Sequence, residues 1–134
     1  MAQLNFHKEE NDNNAIILKF TESYKTWHAH LVHLPRLTRY TLGVKIDNLF
    51  TDCLELSLMA SYAKKENKLE IIKRLSVKFD ALKFFIKVLW ELKALDEKKY
   101  LRISMPLNEI GKMIGGWLKL FQKINSFAKN NERE

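Results

Sequence analysis

Apolar residues recur every three or four positions in four separate stretches of the chain, which is the spacing of one face of an α-helix. The first stretch runs from Ile17 to Leu34, the second from Leu42 to Ala63, the third from Ile72 to Leu89 and the fourth from Leu107 to Ile124. No stretch shows the alternation of apolar and polar residues that marks a β-strand. We therefore predict an all-α fold, an antiparallel up-down-up-down four-helix bundle, because short connections favour antiparallel neighbours.

Prolines and polar segments mark the expected helix boundaries. Residues 1–14 are polar and end in NDNN, which predicts a flexible N-terminal arm that finishes in a helix cap. Pro35 should end the first helix, because the residue before a proline avoids helical geometry. Residues 96–104 break the period, so Ser104 before Pro106 marks the expected start of the fourth helix. Residues 15–128 then form the bundle, and residues 129–134 form a frayed tail.

Glycine is rare in the chain and is concentrated in the fourth stretch. Of the four glycines, Gly111, Gly115 and Gly116 lie there, and Gly43 lies in the second stretch. A glycine inside a helix costs about 1 kcal/mol relative to alanine. Close approach of another backbone would explain that cost, with Trp117 filling the space beside the gap. The alternative is that these glycines are merely tolerated.

The third helix carries a second apolar stripe opposite its core face. Its members are Val77, Ala81, Phe84, Val88 and Leu95. A helix that is apolar on two opposite faces cannot bury both inside one small bundle. The outer stripe is therefore predicted to be an interface between copies of the chain or a docking surface. The alternative is a central third helix in a less regular bundle.

Composition and charge narrow the range of functions. The chain is 46% hydrophobic and 29% charged, which is typical of a globular domain rather than a disordered one. It has no apolar run of the roughly 20 residues that span a bilayer, and it begins without a signal peptide's apolar centre. The single Cys53 is predicted to be buried in a reducing compartment, so we expect a cytoplasmic protein without a membrane partner. The net charge of +7 favours an anionic partner, with nucleic acid ahead of membrane.

Catalytic patterns are missing from the sequence. None of the four histidines follows a glutamate by three positions, which excludes the Glu-x-x-His pairs of a di-iron bundle. His30 and His33 lie one turn apart and could bind a metal, but no Cys, Asp or Glu joins them locally, and a surface or capping role is favoured. There is no glycine-rich phosphate loop, and neither a serine nor Cys53 lies in a recognisable nucleophile setting. We therefore expect no enzymatic activity, no metal and no other cofactor.

Basic residues gather at one pole if neighbouring helices are antiparallel. This pole collects the ends of the first and third helices and the starts of the second and fourth. The basic side chains expected there are chiefly Arg36, Arg39, Lys93, Lys98, Lys99 and Arg102. Arg74 and Lys78 add positive charge along one flank of the third helix. Such clusters suit the phosphate backbone of nucleic acid, which binds through charge. The alternative is that these side chains are solvated and only keep the protein soluble.

Two motifs make the chain resemble a known family. LPRLTRYTLGVKI (residues 34–46) and EIGKMIGGWLK (residues 109–119) resemble the Avd proteins, the accessory variability determinants of diversity-generating retroelements. The resemblance covers most of the chain, from the first helix to the fourth. The positions that match the motifs are interpreted mostly as packing positions: Arg39, Gly43, Gly111, Gly115, Gly116 and Trp117. Four-helix proteins encoded within intervening sequences of large-subunit ribosomal RNA genes share the fold, but they typically lack the GGW-type fourth helix.

The resemblance implies both an assembly and a function. Avd proteins form pentameric barrels with a positively charged surface, and they are not enzymes. They associate with the reverse transcriptase of the retroelement and bind nucleic acid, and so support mutagenic retrohoming, in which a template RNA is copied into mutated complementary DNA. The expected partners are therefore that reverse transcriptase, RNA and DNA of any sequence, and further copies of the chain. The alternative is a structural or protein-interaction bundle of the intervening-sequence type with no nucleic-acid role.

Overall fold

The computed structural model describes the backbone of residues 2–132 and the side chains of residues 15–130. The chain forms four long helices, α1 (Ala2–Leu31), α3 (Val44–Tyr62), α4 (Lys65–Glu91) and α5 (Glu97–Glu132). Between the first two lie a short helix, α2 (Arg36–Thr38), and a π-helical turn (Arg39–Gly43). Helices α1, α3, α4 and α5 correspond to the four helices predicted from the sequence.

The four long helices form a closed square. Helix α1 packs on α3 and α5, and α4 packs on the same two helices from the opposite corner. Consecutive long helices pack against each other, with short turns between α3 and α4 and between α4 and α5, so they run antiparallel. Among the described residues there is no strand. The predicted all-α four-helix bundle is confirmed.

The core lies along the axis of this square and follows the predicted period. In α4 every predicted core position is buried: Ile72, Leu75, Phe79, Leu82, Ile86 and Leu89. From α1, Phe20 meets Phe79 edge to face, with the ring centroids 5.8 Å apart. Burying an aliphatic or aromatic side chain of this size stabilises the fold by about 1.5–3 kcal/mol.

A polar contact fixes α1 against α3. Trp27 is completely buried and stacks on Phe50, with the ring centroids 6.1 Å apart. Its indole Nε1 donates a hydrogen bond to Asp47 Oδ1 at 3.2 Å, which satisfies a donor that burial would otherwise leave without a partner. Burial and the neighbouring Asp47 raise the pKa of Tyr24 above its ordinary value. The carboxylate therefore links two aromatic residues of α1 to the first turn of α3.

The π-helical turn lies on the RYTLG motif. A π-helical turn inserts one extra residue per turn, which an apolar period of three and four does not reveal. Gly43 ends this turn and is buried; a Cβ there would lie 3.0 Å from Leu31 Cδ1 and 3.3 Å from the carbonyl oxygen of Thr38. A side chain at this position would require its neighbours to shift by a few tenths of an ångström, so glycine suits the close packing of the end of α1 against the turn.

The three glycines of α5 divide into one tight and two open positions. A Cβ at Gly111 would lie 3.1 Å from Cε1 of Phe79, whereas at Gly115 and Gly116 it would meet no atom within 4 Å. The predicted close helix contact at Gly115 and Gly116 is therefore wrong within this chain. Gly115 is half-buried and Gly116 is exposed, so both lie outside the core face to which the buried Ile114 and Trp117 belong.

The start of α5 also differs from the prediction. Asp96 caps this helix, because its Oδ1 accepts a hydrogen bond from the backbone N–H of Lys99 at 2.8 Å. Helix α5 therefore begins at Glu97, and Pro106 lies inside it rather than at its start. The proline has no N–H to donate to the carbonyl of Arg102, a loss that this long helix tolerates. Leu95, predicted for the outer stripe of α4, is instead buried in the turn before the cap.

The two ends of the chain are more helical than predicted. Helix α1 begins at Ala2, so the helix start expected after Asn14 is wrong. Helix α5 continues to Glu132, within the segment predicted to fray. A flexible arm over residues 1–14 and fraying over residues 129–134 stay predictions.

Candidate nucleic-acid interface

The turn between α4 and α5 forms the centre of the predicted basic pole. Lys93 lies in this turn, Lys98 and Lys99 lie in the first turn of α5, and Arg102 lies one turn later. The antiparallel packing brings the end of α1 and the short α2, which carries Arg36, to the same end of the bundle. We call the exposed cations of this end the basic pole: Arg36, Lys93, Lys98, Lys99 and Arg102.

Backbone hydrogen bonds fix the conformation of this turn. The N–H of Leu92 donates to the carbonyl of Val88 at 2.9 Å, and the N–H of Ala94 donates to the carbonyl of Leu89 at 3.2 Å. Between them Lys93 adopts a left-handed conformation with φ 63°, which glycine usually supplies at this position after a helix. A lysine in that conformation costs about 1 kcal/mol or more. The chain therefore holds a cation at a backbone position that favours glycine.

The cations of the basic pole lack carboxylate partners. No ion pair among the described side chains involves Lys93, Lys98, Lys99 or Arg102. The nearby Asp96 is engaged in capping α5. Asp96 and Glu97 oppose part of this charge from the same turn, but the five cations of the pole outnumber them, and the positive excess is available to phosphate groups.

Four lysines on the sides of the bundle form ion pairs, whereas others there, such as Lys45 and Lys83, form none among the described side chains. Lys78 lies 2.8 Å from Asp52 Oδ2, and Lys19 lies 3.0 Å from Glu109 Oε2. Two further pairs occur within α4: Lys73 with Glu70 and Lys87 with Glu91. We call these four lysines the paired flank lysines. Lys78, predicted to contact nucleic acid, thus already has an anionic partner; Arg74, from the same prediction, is exposed.

Arg39 makes a structural hydrogen bond near the basic pole. Its Nη2 donates a hydrogen bond to the carbonyl oxygen of Leu34 at 3.1 Å, and its Nε is buried without a partner. The side chain is half-buried and ties the π-helical turn to the segment after α1. A contact between Arg39 and nucleic acid stays a prediction. The hydrogen bond to Leu34 leaves the guanidinium with fewer N–H donors for a phosphate.

The side chains that sequence analysis considered for metal or nucleophile chemistry have structural settings in the described part of the chain. No group of three or more His, Cys, Asp or Glu side chains is placed there to hold a metal ion. His30 lies in the last turn of α1, and its Nδ1 is 2.8 Å from the carbonyl oxygen of Thr26, within hydrogen-bond distance. This contact is a structural one at the end of the helix. Burial, and to a smaller extent Asp52, raises the pKa of the Cys53 thiol to about 12, so the thiol stays protonated at neutral pH.

The outer stripe of α4 lies largely on the surface. Val77 is 70% exposed and Phe84 is 59% exposed, while Ala81 and Val88 are half-buried. Phe84 packs edge to face on Phe85, with the ring centroids 5.4 Å apart. The side of the bundle therefore presents an apolar stripe beside the paired flank lysines. No helix of the described chain has a stretch both long and apolar enough to cross a bilayer.

Sequence reasoning missed an aromatic pair next to the basic pole. Trp90, near the end of α4, and Tyr100, near the start of α5, stack with their ring centroids 4.6 Å apart and their planes 6° from parallel. The two residues are separated by ten positions and a turn, so no helical period connects them. The only signal in the sequence that could have indicated the pair is that both residues lie within about one helical turn of the same α4–α5 connection.

Comparisons with known proteins agree with the fold and the motifs. Residues 16–121 match the protein family described as bAvd-like, a match that includes α3 and α4, most of α5, about half of α1 and both sequence motifs. Comparison with curated proteins and with solved structures found no match. Since the family match covers well over half of the chain, the resemblance to Avd proteins is confirmed. The chain belongs to the bAvd-like family.

Proposed function

We propose that this protein is a non-enzymatic accessory factor of a diversity-generating retroelement, acting in the cytoplasm. It binds nucleic acid through the basic pole, associates with the element's reverse transcriptase and supports the copying of template RNA into mutated complementary DNA. Family membership supports the retroelement role. The observation that carries the nucleic-acid part is the group of exposed cations at the α4–α5 turn, none of which forms an ion pair among the described residues.

The binding mode follows from the chemistry of these side chains. Lysine and arginine contact phosphate oxygens, which carry the same charge in every sequence and in RNA as in DNA. The basic pole should therefore bind both polymers with little dependence on base sequence. Affinity should fall as salt is added, because each phosphate contact releases a condensed counterion.

Self-association would multiply this binding surface. The exposed outer stripe of α4 would be buried between copies of the chain, and family membership favours five copies. An oligomer presents the basic pole several times, so weak contacts act together and raise the apparent affinity. The same stripe would also suit a purely structural or protein-interaction bundle, which is the competing proposal.

The test of this function is binding of both partners. Fluorescence anisotropy with labelled RNA and DNA of unrelated sequences should show binding at low salt that weakens steeply as salt rises. The retroelement's reverse transcriptase, mixed with the protein and treated with nuclease, should co-elute with it in size-exclusion chromatography. If the protein binds neither RNA nor DNA at low salt, the competing proposal of a structural bundle is correct. If the two proteins separate after nuclease treatment, nucleic acid alone bridges them.

A further inference from the structure

The stacked pair of Trp90 and Tyr100 is half-buried and lies beside the basic pole. Tyr100 packs against the buried core, whereas Trp90 is not among the described side chains that do so. Trp27 and Trp117 are buried, so Trp90 is the one half-exposed tryptophan of the three in the sequence. Because Trp90 covers one face of the Tyr100 ring, a planar ligand would extend this stack from the other face of Tyr100.

A small cavity adjoins Tyr100 between α4 and α5. Its volume is about 200 Å³, less than the roughly 300 Å³ at which pockets for drug-sized ligands begin. Ile86 and Leu107 form apolar walls, and Lys83, Ser104 and Asn108 provide polar groups. Trp90 covers one face of the Tyr100 ring but does not line the cavity, so the cavity meets Tyr100 on another side.

Charge around the pair suits a polyanion that approaches from the turn. Lys93, in its left-handed conformation, follows Trp90 by three residues, and Lys99 directly precedes Tyr100. Single-stranded nucleic acid is bound by this combination, in which cations follow the backbone and aromatic rings stack on the bases. Double-stranded nucleic acid has its bases stacked on one another, so it could use the cations but not the rings.

We propose that the cavity beside Tyr100 receives one unpaired base of a single-stranded nucleic acid, which stacks on the Trp90–Tyr100 pair while Lys93, Lys98 and Lys99 contact the adjacent phosphates. The inference rests on the proposed function, because it assumes that the basic pole binds nucleic acid. To that function the inference adds single-stranded nucleic acid as the ligand class and the cavity beside Tyr100 as the place where a base binds. Ser104 and Asn108 can hydrogen-bond to the base edge, and every base has a face that stacks, so the site accepts more than one base.

The experiment compares two labelled probes with the same number of phosphates, a short oligo(dT) and a hairpin duplex. Tyr100→Leu removes the ring and should weaken oligo(dT) binding about tenfold, the loss of one stacked base, while duplex binding changes by less than about twofold. Tyr100→Phe keeps the ring and should bind both probes as the wild type does. Phe127→Leu removes an aromatic residue that is 69% exposed near the end of α5, and it serves as the matched control with no change for either probe.

A second variant separates stacking from folding, because Tyr100 also packs on the core. Ser104→Met fills the cavity from its polar rim and leaves the aromatic pair in place, and it should produce the same selective loss for oligo(dT). In the wild type, oligo(dT) should also quench tryptophan fluorescence, and the quenching should disappear in Trp90→Phe.

The outcomes also separate this inference from the proposed function. If the wild type binds both probes and Ser104→Met binds oligo(dT) as tightly as the wild type, the base site is overturned while the proposed function stands. If Tyr100→Leu weakens both probes equally with the fold intact, the ring is not a stacking platform. If the wild type binds neither probe, both proposals fail.

Discussion

The flanks of the bundle and its basic pole hold similar side chains in opposite ways. On the flanks, Lys19 and Lys78 lie within 3.0 Å of a carboxylate on a neighbouring helix. At the pole, Lys93, Lys98 and Lys99 have no such partner among the described residues, and Lys93 occupies a strained backbone position. Net charge alone does not distinguish the two regions. The paired flank lysines therefore join neighbouring helices, whereas the cations of the pole are exposed and form no ion pair among the described residues.

We expect the largest effect from variants that test whether the outer stripe of α4 is buried between copies of the chain. In an isolated chain Val77 and Phe84 are exposed, so Val77→Asp with Phe84→Asp should leave the helical fold intact. If the outer stripe is buried between copies, each unpaired charge costs several kcal/mol and the assembly should dissociate. Light scattering measures the change. Leu18→Asp, at an apolar residue of α1 that is 62% exposed, is the matched control and should still assemble. A double variant that assembles normally would remove the outer stripe from the interface.

The next effect sharpens the contrast between tight and open positions on the flank. Gly111→Leu would force a side chain against the ring of Phe79, and overpacking of this kind costs about 1–3 kcal/mol. A Cβ at position 116 would meet no atom within 4 Å, and Gly116→Leu replaces a poor helix former, so the isolated fold should gain up to about 1 kcal/mol. Thermal unfolding compares the two variants. Equal destabilisation by both would show that α5 packs differently from the described arrangement.

A smaller effect concerns the strained lysine of the pole. Lys93→Gly should raise the free energy of unfolding by about 1 kcal/mol, because glycine adopts the left-handed conformation without strain. The same change should weaken nucleic-acid binding, because it removes a cation that contacts phosphate. Lys93→Gln is the matched control, since it removes the charge but keeps the strain and should weaken binding without stabilising the fold. A Lys93→Gly variant that is more stable and binds as tightly as the wild type would show that Lys93 has no role in binding.

The smallest effect belongs to an exposed flank pair. The hydrogen bond and charge of Lys19 hold the pKa of Glu109 below its ordinary value of 4.5. Because the pKa is lowered in the folded state, the pair contributes stability above pH 4.5 and loses it as the pH falls through the folded-state pKa. Glu109→Gln should therefore melt slightly below the wild type at neutral pH, and the two melting curves should converge in acid. A difference that persists in acid would mean that Glu109 acts through packing rather than charge.

The sequence predicts those parts of the molecule that depend on periodicity. Every predicted core position of α4 is buried, because a regular apolar stripe has only one way to face the axis of the bundle. The predicted start of α5 is wrong because a proline such as Pro106 is common in the first turn of a helix. The helix instead begins after Asp96, whose side chain accepts a hydrogen bond from the N–H of Lys99. The contacts predicted at Gly115 and Gly116 are wrong because glycine composition does not reveal the direction that a residue faces.

The candidate site depends on more than periodicity. Antiparallel topology brings α2, which carries Arg36, to the same end of the bundle as the α4–α5 turn, since helix order alone determines which ends meet. Which cations are neutralised by carboxylates cannot be predicted from the sequence, because the pairs join different helices, as Lys78 and Asp52 do. The stacking of Trp90 on Tyr100 depends on the conformation of the turn, which no sequence period specifies.

The salt dependence of nucleic-acid binding tests the central claim most directly. A variant of the pole, with Lys98, Lys99 and Arg102 changed to Gln, is compared with a flank variant in which Lys73, Lys78 and Lys87 are changed to Gln. Both variants have the same net charge, and fluorescence anisotropy with a labelled duplex measures each affinity over a range of salt concentrations. We expect the pole variant to bind more weakly and the slope of log affinity against log salt to shrink by about 2 to 3, since each phosphate that is no longer neutralised reduces the slope by about 0.9. The flank variant should retain nearly the slope of the wild type. If both variants reduce the slope equally, binding follows net charge and the basic pole is not the nucleic-acid site.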